Sequence, residues 1–113
     1  MSAAFSLRQN ELAEWQRRNF GTPSIAHVTL GIAEECGEVC HHILKGEQGI
    51  RGRENGIDVA QVADGVADTL IYGIQLLTLL GVDAESVIAK TIEQVLARDW
   101  KTNPAGDGNP VKS

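Results

Sequence analysis

Glu34-Glu35-Cys36-Gly37-Glu38 puts three carboxylates within five residues, inside a segment that otherwise reads as a core helix. Successive helical residues step by about 100° around the axis, so Glu34 and Glu38 lie about 40° apart and Glu35 and Glu38 about 60° apart. All three therefore share one side. Glu35 also falls in line with Val28, Ile32 and Val39, the stripe that should face inward. A solvated charge run would avoid that stripe. Carboxylates crowded on a half-buried face repel one another unless protons or a cation neutralise them. A divalent cation with oxygen ligands, most naturally Mg²⁺, is the simplest neutraliser. The plainer reading is a solvated acidic face paired with nearby Lys and Arg. These five residues alone do not decide between the two; a second acidic helix tips the balance.

Working outward, Thr22 can cap this helix with Pro23 at its first position, where a missing N–H does no harm. The helix is expected from about Pro23 to Lys45, ending at Gly46. Gly31 and Gly37 lie inside it and suit close approach of another helix or a ligand. The Gly-rich, charged stretch 46–56 reads as a loop, and its Arg51 and Arg53, with Lys45 before it, can close over an anion. A helix follows from about Ile57 to Leu80, ended by Gly81, with Val59, Ala63, Val66, Leu70, Ile74 and Leu77 as its apolar stripe. It carries Asp64 and Asp68, one turn apart. Asp is a poor helix-interior residue, so Asp68 inside an apolar run needs a reason, and a shared cation is a good one.

On the N-terminal side, residues 1–5 read as a frayed end. Ser6 with Gln9 makes a capping box for a first helix from about Leu7 to Asn19. On the C-terminal side, Asp83 caps a fourth helix from about Ala84 to Trp100, with Val87, Ile88, Ile92, Val95 and Leu96 as its stripe. No strand pattern or repeat is present. The expected fold is all-α and four-helix bundle-like, one domain over residues 1–103 with an irregular tail at 104–113.

Composition bounds the function. The 113 residues carry a net charge of -5, which argues against a nucleic-acid-gripping basic surface. Hydrophobic content of 42% and charged content of 22% fit a folded, soluble chain. No secretory signal pattern opens it, and its most apolar stretch, Thr69 to Val82, is too short and interrupted to span a bilayer. A cytoplasmic location is expected, with neither membrane nor nucleic acid as partner. Cys36 and Cys40 with His41 and His42 do not match zinc-site spacing, and small, buried, reduced cysteines packing a helix contact are the expectation.

If the two long helices lie antiparallel, Glu35 and Glu38 face Asp68 across the pair. Carboxylates projecting inward from facing helices build metal sites in helical bundles. With no Cys or Ser nucleophile beside a base and no phosphate-cradling Gly-rich loop, the chemistry on offer is metal-assisted hydrolysis. Glu34 or Glu35 would take the proton of the attacking water.

These residues also carry a resemblance. Glu34-Glu35-Cys36-Gly37-Glu38 matches the E-E-x-x-E motif of the MazG-like all-α nucleoside triphosphate pyrophosphohydrolases. Ala63 to Tyr72 resembles that family's second motif, E-x-x-D followed by an apolar run. Trp15 to Gly21 and Arg98-Asp99-Trp100 are similar to stretches of small MazG-like proteins, so the likeness covers about residues 7 to 103. It implies cleavage of a nucleoside triphosphate between the α- and β-phosphates, with Mg²⁺, or Mn²⁺ as a substitute. It also implies a homodimer or homotetramer whose bundle is completed by dimerisation. By position, Glu35, Glu38 and Asp68 become metal ligands and Glu34 a ligand or the base. Where the second motif has its Glu, this chain has Gly65; Asp64, one residue earlier, is expected to supply the missing carboxylate. Gln16 and Asn19 are candidates for a base edge, as in related dimeric dUTPases, and Trp15 for stacking on the base. Lys45, Arg51, Arg53, Arg98 and Lys101 are candidates for phosphate, and Tyr72 for a ligand contact. Phosphoribosyl-ATP pyrophosphohydrolase is a neighbouring reading. The competing reading from another class is a non-catalytic helical dimerisation or regulatory module with a vestigial acidic site.

Overall fold

The computed structural model describes residues 6–106; the expected frayed start, and the tail beyond Gly106, lie outside them. The chain folds into four helices in the order α1 (Gln9–Phe20), α2 (Ile25–Gln48), α3 (Val59–Leu79) and α4 (Ala84–Leu96), with no strand among the described residues.

α2 and α3 form an antiparallel hairpin, and its closeness depends on small residues. A Cβ at Gly31 would overlap the Tyr72 ring. Nearer the turn, a Cβ on buried Gly65 would come within 2.9 Å of Val39 Cγ2. Gly31 therefore serves helix packing, while Gly37 faces open space. Gly46 does not end α2: it is buried against Ile57, and the helix runs on to Gln48, where Gly49 adopts the left-handed conformation that closes it. At the other end the cap is Ser24, not Thr22; its hydroxyl accepts from the His27 amide at 3.0 Å. Asp58 caps α3 in the same way, so the helix begins at Val59, two residues beyond the expected Ile57.

α1 lies against α3. The expected Ser6–Gln9 capping box is absent, because Gln9 is engaged elsewhere. Its amide donates to Thr78 Oγ1 (3.0 Å) and the Val82 carbonyl (2.9 Å) and accepts from the Ala84 amide (2.8 Å). One side chain thus fastens the start of α1 to the α3–α4 joint, where three good hydrogen bonds outweigh one local cap. Glu85 Oε1 adds a second tie by accepting from the Leu7 amide at 2.8 Å. Asp83 caps α4 as expected. The helix ends at Leu96 rather than Trp100 because the Asp99 carboxylate accepts from the Lys101 and Thr102 amides, a local turn that competes with helix.

Little of the apolar surface is covered. Among the described residues the only large apolar side chains buried are Val28 and Ile74, joined by Ala84. The expected stripe of α3 is split: Ile74 is inside, while Val59, Val66 and Leu70 face outward. α4 likewise exposes Ile92, Val95 and Leu96. Cys36 and Cys40, expected to be buried, are free and exposed. The radius of gyration is 18.6 Å, against roughly 13 Å for a compact chain of this length.

α3 is long and apolar enough to cross a membrane, with a mean hydropathy of 1.2 over its best window. Asp64 and Asp68 sit within it, and an ionisable residue at bilayer depth costs about 2.5–3.5 kcal/mol even on lenient scales.

Candidate functional site

A cavity of about 710 Å³ opens where α1 crosses the α2–α3 hairpin. α3 contributes Asp68, Ile71, Tyr72 and Gln75, which share one helical face at i, i+3, i+4 and i+7. α2 contributes His27 and Glu35, two turns apart. α1 closes the cavity with Leu12, Trp15, Gln16 and Phe20; the Trp15 and Phe20 rings meet edge to face at 5.8 Å. The wall is thus aromatic and amide at one end and acidic at the other.

Glu35 is half-buried, on the inward stripe with Val28, Ile32 and Val39. Burial, and then the negative charges of Asp68, Glu34, Glu38 and Asp64 in that order, raise its pKa above the ordinary value. Asp68 is thus the carboxylate that acts most strongly on it, across the helix pair. Glu34 and Glu38 are exposed on the same side of α2, and Glu38 lies 4.0 Å from His42 Nε2. Asp64 acts on Glu35 more weakly than the others and lines a separate depression with Asp58 and Gln61. Gly65, where the resembled motif has Glu, is a packing residue under Val39.

The donor set is one of hard carboxylate oxygens, which suits Mg²⁺ or Mn²⁺. A cation between Glu35 and Asp68 would offset the repulsion that raises the Glu35 pKa. As they stand, no three His, Cys, Asp or Glu side chains among the described residues are gathered into a metal-binding group, the Cys36–His42 segment included.

The fold brings Trp15, Gln16, Glu35, Asp68 and Tyr72 to one cavity. It does not bring the other candidates there. Asn19 donates to the Trp15 carbonyl at 2.9 Å and points away. Lys45 donates to Gln48 at 2.9 Å. Arg53 donates to His42 Nδ1 at 2.7 Å, and Arg51 is an exposed loop residue in left-handed conformation. Arg98 lies 6.0 Å from the Trp100 ring, and Lys101 sits in the turn after α4.

His27, Phe20 and Gln75 line the cavity without having been singled out from sequence. Gln75 carried a legible signal, an amide in the apolar run Ile74-Gln75-Leu76-Leu77. It is 5% exposed, and its Oε1 accepts no hydrogen bond from the protein, which costs about 1–3 kcal/mol. Compared with protein-family models, curated proteins and solved structures, the chain matches none.

Proposed function

We propose that this protein is a MazG-like, Mg²⁺-dependent nucleoside triphosphate pyrophosphohydrolase, yielding a nucleoside monophosphate and pyrophosphate from a triphosphate and water. The observation that carries the reading is the meeting of Glu35 and Asp68, from facing helices, at the acidic end of a cavity otherwise walled by Trp15, Phe20 and Tyr72. Glu35, Glu38 and Asp68 would hold the ion, with Asp64 acting through water from its neighbouring depression. When bound, the ion supplies charge neutralisation on the triphosphate and an acidified water. The chain's own residues do the rest. Glu34 accepts the proton of the attacking water. Trp15 and Tyr72 hold the base by stacking, and Gln16 donates to or accepts from its edge.

The exposed apolar faces of α3 and α4, together with the extended dimensions, support a homodimer or homotetramer whose second copy completes the bundle. That copy would also bring further side chains toward the acidic end, where the described residues of one protomer assemble no metal-binding group. The reading implies a cytoplasmic enzyme of the nucleotide pool.

The test is a panel of standard and damaged nucleoside triphosphates, scored for pyrophosphate release with Mg²⁺ and after chelation. Release that needs the metal and is lost in Asp68→Asn is expected. Silence across the panel, with no Mg²⁺ or Mn²⁺ effect on the unfolding midpoint, would favour the non-catalytic dimerisation module, a reading supported by the same exposed apolar faces.

A further inference from the structure

We infer that Gln75 is the residue that reads the nucleobase, by accepting a hydrogen bond from an N–H on the base's Watson–Crick edge; this rests on the nucleotide-binding part of the reading above. Three buried polar side-chain atoms go unpartnered among the described residues, on Arg53, Gln75 and Asn103. Arg53 and Asn103 are half-buried loop residues, and Arg53 has His42 as a partner through another nitrogen. Gln75 is different: it is buried in the C-terminal part of α3, on a cavity wall.

A buried amide oxygen without a donor is a standing cost that a Leu or Met of similar size would remove. The position of Gln75 explains its retention. It lies two turns along α3 from Asp68 on the same face, about 10 Å up the axis at 1.5 Å per residue. That is the order of separation between the phosphate end and the base edge of an extended nucleotide. Tyr72 stands between the two on the same face, with Trp15 and Phe20 across the cavity, so a base stacked there has its edge directed toward Gln75. Gln16, 7% exposed, adds a second amide from α1. Within the cavity the carboxylates, Glu35 and Asp68, lie at the other end, and the nearby cation, Arg17, lines an adjoining depression that Gln16 and Gln75 share, so recognition of the base edge falls to the two neutral amides. The terminal amide torsion of Gln has a broad minimum, so the oxygen and nitrogen can both be turned to a base presenting an N–H beside an acceptor. A missing hydrogen-bond partner at such a site discriminates strongly, because the buried group is left unpaired.

The experiment measures binding, not turnover, by unfolding midpoint and by calorimetry. Wild type and Gln75→Met are titrated with the nucleoside monophosphates, with inorganic tripolyphosphate plus Mg²⁺, and with whichever base binds best in the form whose Watson–Crick N–H is removed by N-methylation (the ring nitrogen of guanine, uracil or thymine, the exocyclic amine, dimethylated, of adenine or cytosine). We expect Gln75→Met to have a higher ligand-free midpoint, at least about tenfold weaker nucleotide binding and unchanged tripolyphosphate binding. N-methylation should weaken binding to wild type by a similar factor and leave Gln75→Met indifferent. The N-methyl arm uses the unaltered chain, so it reads out even if the variant folds poorly. Equal binding of the methylated and unmethylated base by wild type, or no monophosphate bound at all, overturns the assignment. Nucleotides that bind in a Gln75-dependent way but are never hydrolysed leave the assignment standing and remove the hydrolase.

Discussion

At Glu35 a carboxylate is held half-buried beside Asp68, with three more acidic side chains around it. On the proposed reading, stability and function pull in opposite directions there. Glu35→Gln keeps the shape and removes the repulsion, so its metal-free unfolding midpoint at neutral pH should exceed that of wild type. Its Mg²⁺-dependent turnover should fall by more than the roughly 10–100-fold that loss of an outer-shell partner costs. A paired melt and pyrophosphate assay checks both signs. Asp64 is the graded case. It acts on Glu35 least and faces its own depression, so Asp64→Asn should cost about tenfold, the low end of an outer-shell effect. Near-normal rates would make Asp64 an ordinary surface charge. Helical spacing made it legible that Glu34, Glu35 and Glu38 share one side of α2; that Asp68 comes to Glu35 from α3 was set by the packing of the two helices. The base-edge candidates were only half legible: Gln16 reaches the cavity, whereas Asn19 sits three residues on and turns to the Trp15 carbonyl.

At the scale of the elements, the α2–α3 hairpin depends on Gly31. Gly→Ala in a helix ordinarily stabilises by about 1 kcal/mol. Here the added methyl would strike Tyr72, so Gly31→Ala should instead destabilise by about 1–3 kcal/mol in chemical denaturation. It should also weaken nucleotide binding, because Tyr72 lines the cavity. The start of α4 has a pH signature. Asp83 accepts from the Ser86 hydroxyl and amide, which lowers its pKa below the ordinary 3.8. A depressed carboxyl contributes stability that is full above the ordinary value and lost as pH falls through the folded-state value. Asp83→Asn should therefore flatten the acid limb of the stability profile below about pH 4, read from midpoints across that range. Helix existence was visible in the periodicity, and the Asp83-capped start of α4 with it; the starts of α1 and α2, expected at Ser6 and Thr22 caps, and several other ends were not. α4 stops early because of Asp99, and α1 starts late because Gln9 bonds to residues some 70 positions away.

For the whole molecule, the decisive feature is how much apolar surface one copy leaves uncovered. Val59, Val66 and Leu70 lie on one face of α3, and Ile92, Val95 and Leu96 extend α4's stripe outward. Light scattering should give at least a dimer at micromolar concentration. Leu70→Glu, on the exposed face of α3, should shift it toward monomer and lower the melting midpoint, with a concentration dependence that wild type shows more weakly. A monodisperse wild-type monomer of ordinary stability would remove the second copy from the account.

The sequence by itself determined the four helices, their order and the pair of acidic segments, because helical period, caps and breakers act over a few residues. It also placed Glu35 on an inward stripe. Only the tertiary structure decided which candidates meet. The basic residues dispersed to Gln48, His42 and Trp100, Gly65 proved to be a packing residue, and Gln75 emerged buried beside the cavity. Those outcomes depend on contacts between residues far apart in the chain, where a side chain's partner is set by the crossing of helices and not by its neighbours in sequence.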